Sequence, residues 1–198
     1  MEIVRRLWVL LAVGLGTTRA PQDEIEALYR FPKGTSWTFR QSRGATASKV
    51  VLTVVGEERG RVLQESKEYL EEGREPCLKL LAWAVEDGYL VWGEFREGKI
   101  LAPLRVYRPG SKRGDTWKSP VGEGREDLEA VHLGTGEVKV PAGTYRDALR
   151  VAFRFPSVRQ ELPLLEIALA PRVGMIRFGG AAGDARALME LAEFREGR

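Results

Sequence analysis

Apolar and polar residues alternate along most of the chain after residue 35. Trp37 and Phe39 are separated by Ser36, Thr38 and Arg40. Leu149, Val151, Phe153 and Phe155 alternate with Arg150, Ala152 and Arg154, and Tyr89, Val91, Gly93 and Phe95 alternate with Leu90, Trp92, Glu94 and Arg96. A period of two sends successive side chains to opposite faces of a strand. Turn residues break the runs at short intervals: Gly44, Gly56 to Gly60, Gly73, Asp87-Gly88, Gly98, Pro109-Gly110, Gly134 to Gly136, Pro141 to Gly143, and Gly179 to Gly183. Asp87-Gly88 suits a type I′ hairpin, because both residues tolerate positive φ. The pattern predicts strands at 35–42, 47–56, 60–70, 77–86, 89–97, 99–107, 127–133, 136–140, 145–155, 160–169, 173–178 and 186–195. Residues 22–29 predict a short helix, and 109–126 the longest loop. The last segment reads as a strand, with a helix capped by Asp184 as the alternative. The fold class is therefore all-β: an antiparallel meander forming a curved sheet, half-barrel or barrel, with a short N-terminal helix.

One run breaks the alternation. Residues 78–86 are apolar on both faces, with Leu78, Leu80, Ala82 and Ala84 on one and Leu81, Trp83 and Val85 on the other. Such a strand is either central and covered by the protein's own loops, or it turns one face to a ligand or partner. In the second case Leu81, Trp83 and Val85 form the ligand-binding face, because a Trp offers large contact area at low entropic cost.

The first twenty residues differ from the rest. Arg5-Arg6 precede the apolar run Leu7–Gly16, and small residues follow. That order predicts a secretory signal peptide over 1–20, cleaved after Gly16 or Ala20, and one β domain over 21–198. The run is too short to span a bilayer, so no stable membrane span is expected after cleavage. The expected location is periplasmic or extracellular.

Composition narrows the function classes. The net charge is +3. Three Arg and one Glu lie in the first twenty residues, so the body is almost neutral and gives no case for nucleic acid as a partner. The sequence contains no Asn and has 30% charged residues, which fits a thermophile. Cys77 is the only cysteine, so no internal disulfide or Cys-based metal site is expected, and it reads as a small core hydrophobe. His132 is the only histidine and reads as a packed or hydrogen-bonded residue. No Ser sits in a G-x-S-x-G elbow, and Gly134-Thr135-Gly136-Glu137 lacks the Lys-Ser/Thr of a phosphate loop. No catalytic residue, metal or cofactor is predicted.

Two segments, Gly34-Thr35-Ser36-Trp37 and Gly114-Asp115-Thr116-Trp117, place a Gly three residues before a Trp, and both indoles read as core anchors. With Phe31-Pro32-Lys33, Val138–Val151 (including Val140-Pro141-Ala142-Gly143-Thr144-Tyr145) and Ala170-Pro171-Arg172-Val173-Gly174-Met175-Ile176-Arg177, they form an order that resembles a loose family of bacterial secreted proteins and lipoproteins. The resemblance spans roughly residues 29–178. It departs at Ala168 and Leu169, where aromatics are usual, and at Arg172, where glycine is usual. It implies export and a β-sheet fold, and it supplies no catalytic residues.

Two functions follow from these readings. The first is an exported non-enzymatic envelope protein that binds an apolar ligand, lipid, lipoprotein or protein partner on a curved sheet. The alternative is a carboxylate-based extracytoplasmic hydrolase acting on a polymer such as glycan, which requires two acids facing each other across a cleft.

Overall fold

The computed structural model describes residues 21–43, 46–70, 74–122, 124–157, 165–182 and 185–198. The expected signal peptide, both cleavage points and Asp184 lie outside the described residues. One helix, α1 (Pro21–Tyr29), precedes twelve strands: β1 (Ser36–Arg43), β2 (Thr46–Glu58), β3 (Arg61–Tyr69), β4 (Cys77–Glu86), β5 (Tyr89–Arg96), β6 (Lys99–Tyr107), β7 (Thr116–Ser119), β8 (Leu128–Val140), β9 (Gly143–Arg154), β10 (Leu165–Ala170), β11 (Gly174–Ala182) and β12 (Ala185–Arg195). They form a single antiparallel sheet in the order β6-β5-β4-β3-β2-β1-β12-β11-β10-β9-β8-β7. Chain neighbours pair throughout except β6 and β7, which are the two edges of the sheet, and β1 also pairs with β12. The all-β meander and the short N-terminal helix are as the sequence predicts.

The sheet curls until its two free edges nearly meet, and side chains close the seam. The Trp117 indole N–H donates to the Arg105 carbonyl (2.8 Å), and the Ser119 hydroxyl accepts from the Arg105 N–H (2.8 Å). Two side chains on β7 thus satisfy backbone groups of β6 that a neighbouring strand would otherwise pair. The Arg105 guanidinium lies 4.7 Å from the centre of the Tyr89 ring and pairs with Asp87, which covers the junction. An edge satisfied in this way is not a template for foreign strands.

Inside the curl lies the main core. Trp37, Phe39, Leu90, Phe153, Ile167, Leu169, Ile176 and Leu191 are its largest fully buried side chains. The helix lays Ile25, Leu28 and Tyr29 onto it, at helical spacing. The β10–β11 turn locks under the helix. Arg172 N–H donates to the Ala27 carbonyl (2.6 Å), and the Trp37 indole donates to the Val173 carbonyl. Gly174 allows this approach: a Cβ there would sit 3.0 Å from the Phe31 ring, and its φ of +79° also favours glycine. Phe31, Trp37 and Phe194 then form an aromatic trio, with the Phe31–Trp37 centroids 5.0 Å apart. Trp37 and Trp117 are both core anchors, as their spacing predicts.

Asp87-Gly88 has φ values of +51° and +78°, the expected primed turn. Arg59-Gly60 and Glu97-Gly98 adopt the same pair of angles. Three expectations are corrected. The predicted loop 109–126 contains β7, a strand of four residues that is too short to show a period. The predicted strands 127–133 and 136–140 are one strand, β8, because Gly134 and Gly136 mark register shifts against β9 rather than a turn. Cys77 is exposed at the start of β4, where the sheet end leaves it uncovered.

Candidate functional site

The doubly apolar strand is β4, and its two faces have different covers. Trp83 is 3% exposed, packs against Trp92 at 5.8 Å between centroids, and donates its indole N–H to the buried Gln64 carboxamide (3.1 Å). Leu81 is half-buried against the same core, while Val85 is 45% exposed beside α1. The free space next to Trp83, among Leu28, Trp37, Phe39 and Met175, amounts to about 10 Å³, at the lower limit for one water. On the other face Ala82 and Ala84 join Val91, Phe95 and Ile100 in a second small core. Side chains of the bulged β5–β6 hairpin form that cover. Gly93 is required there, since a Cβ would meet the Ile100 side chain at 2.8 Å. Of Leu81, Trp83 and Val85, expected to share one ligand face, the first two therefore pack on the main core and Val85 is exposed.

A roomy concavity lies on the outside of the sheet. On β1 the inward Trp37 and Phe39 alternate with the outward Thr38 and Arg40. Register then sets Arg40 opposite Lys49 on β2, and Lys49 opposite Tyr69 on β3. Arg40, Lys49 and Tyr69 thus stand in one row across three strands, at the strand spacing of about 4.8 Å. Leu70, just past β3, is 57% exposed, and Tyr69 is 37% exposed. With Ala47, Ala192 and Arg74 they line a groove of about 690 Å³, within the usual range for ligand sites.

Among the described residues no carboxylate lines the groove, so the charge they bring to it is positive. Glu190, the register neighbour of Arg40 on β12, is held by Arg177 (2.8 Å). Lys49 Nζ lies 5.8 Å from the Tyr69 ring centre, a cation–π contact that keeps the ammonium over the groove wall. Among the described residues neither Arg40 nor Lys49 has a carboxylate partner. Sequence reading did not mark this groove. Its one local signal is the apolar pair Tyr69-Leu70 closing a strand of mixed charge.

His132 is 5% exposed, and its Nδ1 lies 3.2 Å from the Ser111 hydroxyl, so it is packed and hydrogen-bonded as expected. It borders a smaller cavity of about 210 Å³ between α1, β8 and β9, which also contains Glu24 and Asp147. Among the described residues no three His, Cys, Asp or Glu side chains are placed to hold a metal ion. No helix among them is long and apolar enough to cross a membrane.

No protein-family model matches the chain. No curated protein matches it either. A solved structure that aligns with it is that of a Bacteroides fragilis protein whose export is inferred and whose fold is YmcC-like. The two share 12% identity at a TM-score of 0.54, over 85% of this chain and 99% of the other. At that identity the likeness concerns the fold alone: the nearly closed meander is similar to a YmcC-like fold.

Proposed function

We propose that this chain works outside the cytoplasm as a non-enzymatic binding protein of the cell envelope. Its ligand is an anionic amphiphile, an acyl chain with an acidic head, held in the groove across β1, β2 and β3. The observation that carries this reading is the row Arg40–Lys49–Tyr69 beside exposed Leu70: two cations next to an apolar wall, with no carboxylate partner among the described residues. The filled interior supports the same choice, because the space at Trp83 cannot admit a chain. Export is supported by Arg5-Arg6 ahead of Leu7–Gly16, and by the YmcC-like neighbour, itself inferred to be exported. Each methylene removed from water contributes about 0.8 kcal/mol, so six covered methylenes give about 5 kcal/mol gross. The two exposed cations each add under about 1 kcal/mol and mainly select the sign of the head.

Titration calorimetry with dodecanoate tests this. Binding in the micromolar range is expected, with dodecylammonium at least about tenfold weaker. Lys49→Glu and Leu70→Ser should each weaken dodecanoate by about fivefold or more. Equal binding of the cationic and anionic chains would refute the assignment. Export is tested by mass analysis of the mature chain from its own host, which should begin at Thr17 or Pro21; an intact Met1 in the cytoplasmic fraction would contradict it.

A further inference from the structure

The helix plugs one end of the curled sheet only in part. At this end lie the β2–β3 turn with Gly60, the β4–β5 turn with Gly88, and Pro109 just past β6. One face of α1, with Ile25, Glu26, Tyr29 and Arg30, stands across from them and leaves a cavity of about 480 Å³. That volume is within the range of small-molecule sites.

Strand register identifies an uncovered position here. Val85 and Leu90 are partners on β4 and β5, so they point to the same inner face. Leu90 is fully buried, whereas Val85 stays exposed, because the helix stands off from it across the cavity. An inward apolar side chain without a cover is a place where an apolar body gains by leaving water.

The same wall carries an unmatched hydroxyl. Tyr29 is 6% exposed and belongs to the main core, yet among the described residues its hydroxyl has no hydrogen-bond partner. Tyr107, the other buried tyrosine beside α1, donates to Glu24 (2.7 Å). The Tyr29 oxygen is not sealed inside the protein as the Trp92 indole nitrogen is, and the surface it keeps faces the cavity that Tyr29 lines. Burial raises its pKa above the ordinary phenol value, so it keeps its proton and remains a donor. Leaving a largely desolvated donor unmatched is unfavourable.

Charge around the cavity is already balanced. Glu26 pairs with Arg30 (2.9 Å), and Arg30 reaches on to Glu57 (3.4 Å). Among the described residues that line the space, Glu26 and Arg30 are the only charged ones. A charged ligand would find no free counter-charge and would lose hydration against Ile25, Val85 and Pro109.

We infer that this cavity binds a small uncharged molecule with an apolar body and one hydrogen-bond acceptor, the body lying on Ile25, Val85 and Pro109 and the acceptor receiving the Tyr29 hydroxyl. The site is separate from the outer groove, which lies at the opposite end of β3.

Acetophenone, ethylbenzene and benzoate test this, because they share a ring and differ in acceptor and charge. Methyl spectra of protein ¹³C-labelled at valine, with the Val85 signals assigned from Val85→Ala, locate the ligand. Acetophenone should shift the Val85 methyls saturably, with a dissociation constant of about a millimolar or tighter, and benzoate should bind at least about fivefold more weakly. Excess dodecanoate should displace neither. Tyr29→Phe removes a hydroxyl without a partner among the described residues, so folding should be unaffected. It should weaken acetophenone by about fivefold and leave ethylbenzene unchanged. Any of four results would overturn the assignment: no Val85 shift with acetophenone up to about 20 mM, benzoate binding as tightly as acetophenone, acetophenone and ethylbenzene responding alike to Tyr29→Phe, or displacement by dodecanoate. The first means that water alone meets Tyr29, and the last puts the ring in the outer groove.

Discussion

Trp83 is the residue on which the sequence leaves two outcomes open, and the structure makes the choice measurable. Its indole N–H is matched by one acceptor, the Gln64 carboxamide at 3.1 Å, and both residues are 3% exposed. Trp83→Phe removes the donor and shrinks the ring. The stranded Gln64 carboxamide costs about 1–3 kcal/mol, and the lost ring area about 1–2 kcal/mol more. The single change should therefore destabilise by about 2–5 kcal/mol. Gln64→Leu strands the indole N–H instead and costs about 1–3 kcal/mol. The double variant strands neither group and keeps only the ring loss, about 1–2 kcal/mol. Its effect should fall short of the sum of the singles by both stranding costs, about 2–6 kcal/mol. Urea unfolding measures all four proteins, with an unchanged slope showing that the same surface is exposed in each. A cost below about 0.5 kcal/mol for Trp83→Phe, or additivity within that margin, would refute the sealed-core reasoning and return Trp83 to the wall of an open cavity.

Ser119→Ala removes the acceptor for the Arg105 N–H at the seam, and native-state hydrogen exchange at that amide should speed up by about tenfold or more; unchanged protection would mean that another group holds the edge. Arg172 has a φ of +65°, so Arg172→Gly should stabilise the fold by about 0.5–1 kcal/mol in urea unfolding, and a loss of stability would show that the side chain matters more than the backbone. Burial raises the phenol pKa values of Tyr29, Tyr107 and Tyr145, at Tyr107 with added help from the Glu24 hydrogen bond. Folding then favours the neutral phenols. This contribution is complete below the unfolded value of about 10 and is lost as pH rises through the higher folded values. Phenolate absorbance should show three tyrosines ionising at higher pH in the folded protein than after unfolding; ionisation of all of them at the unfolded value would contradict it.

Much of this fold is written in local chemistry. Period-two alternation around Trp37, Val91 and Val151 places the strands, and Asp87-Gly88 turns as its residue types require. The segment from Ala170 to Ile176 is legible as a pattern, and its physical basis is the tight seat beneath α1 that Gly174 permits. Arg172 holds a left-handed conformation that a glycine would adopt without strain. The rest depends on distant partners. β7 has four residues and owes its place to Trp117 and Ser119 reaching across the seam. Alternation assigns Trp83 to a face but cannot say that Gln64, nineteen residues earlier, will match it. Neither cavity is visible locally. Arg40, Lys49 and Tyr69 meet through the registers of three strands, and Glu24, His132 and Asp147 meet through the docking of a helix on the far arm of the sheet.

The proposed role stands or falls with what occupies the outer groove. Photolabelling with a fatty acid that carries a diazirine on its chain, followed by peptide mapping, locates the occupant directly. The expected adducts fall on the strand segments around Thr38–Arg40 and Ala47–Lys49 and on Tyr69-Leu70, compete away with unlabelled dodecanoate, and are lost in Leu70→Ser. Labelling concentrated near Trp83, or spread over the surface without competition, would contradict a lipid-binding groove on this face.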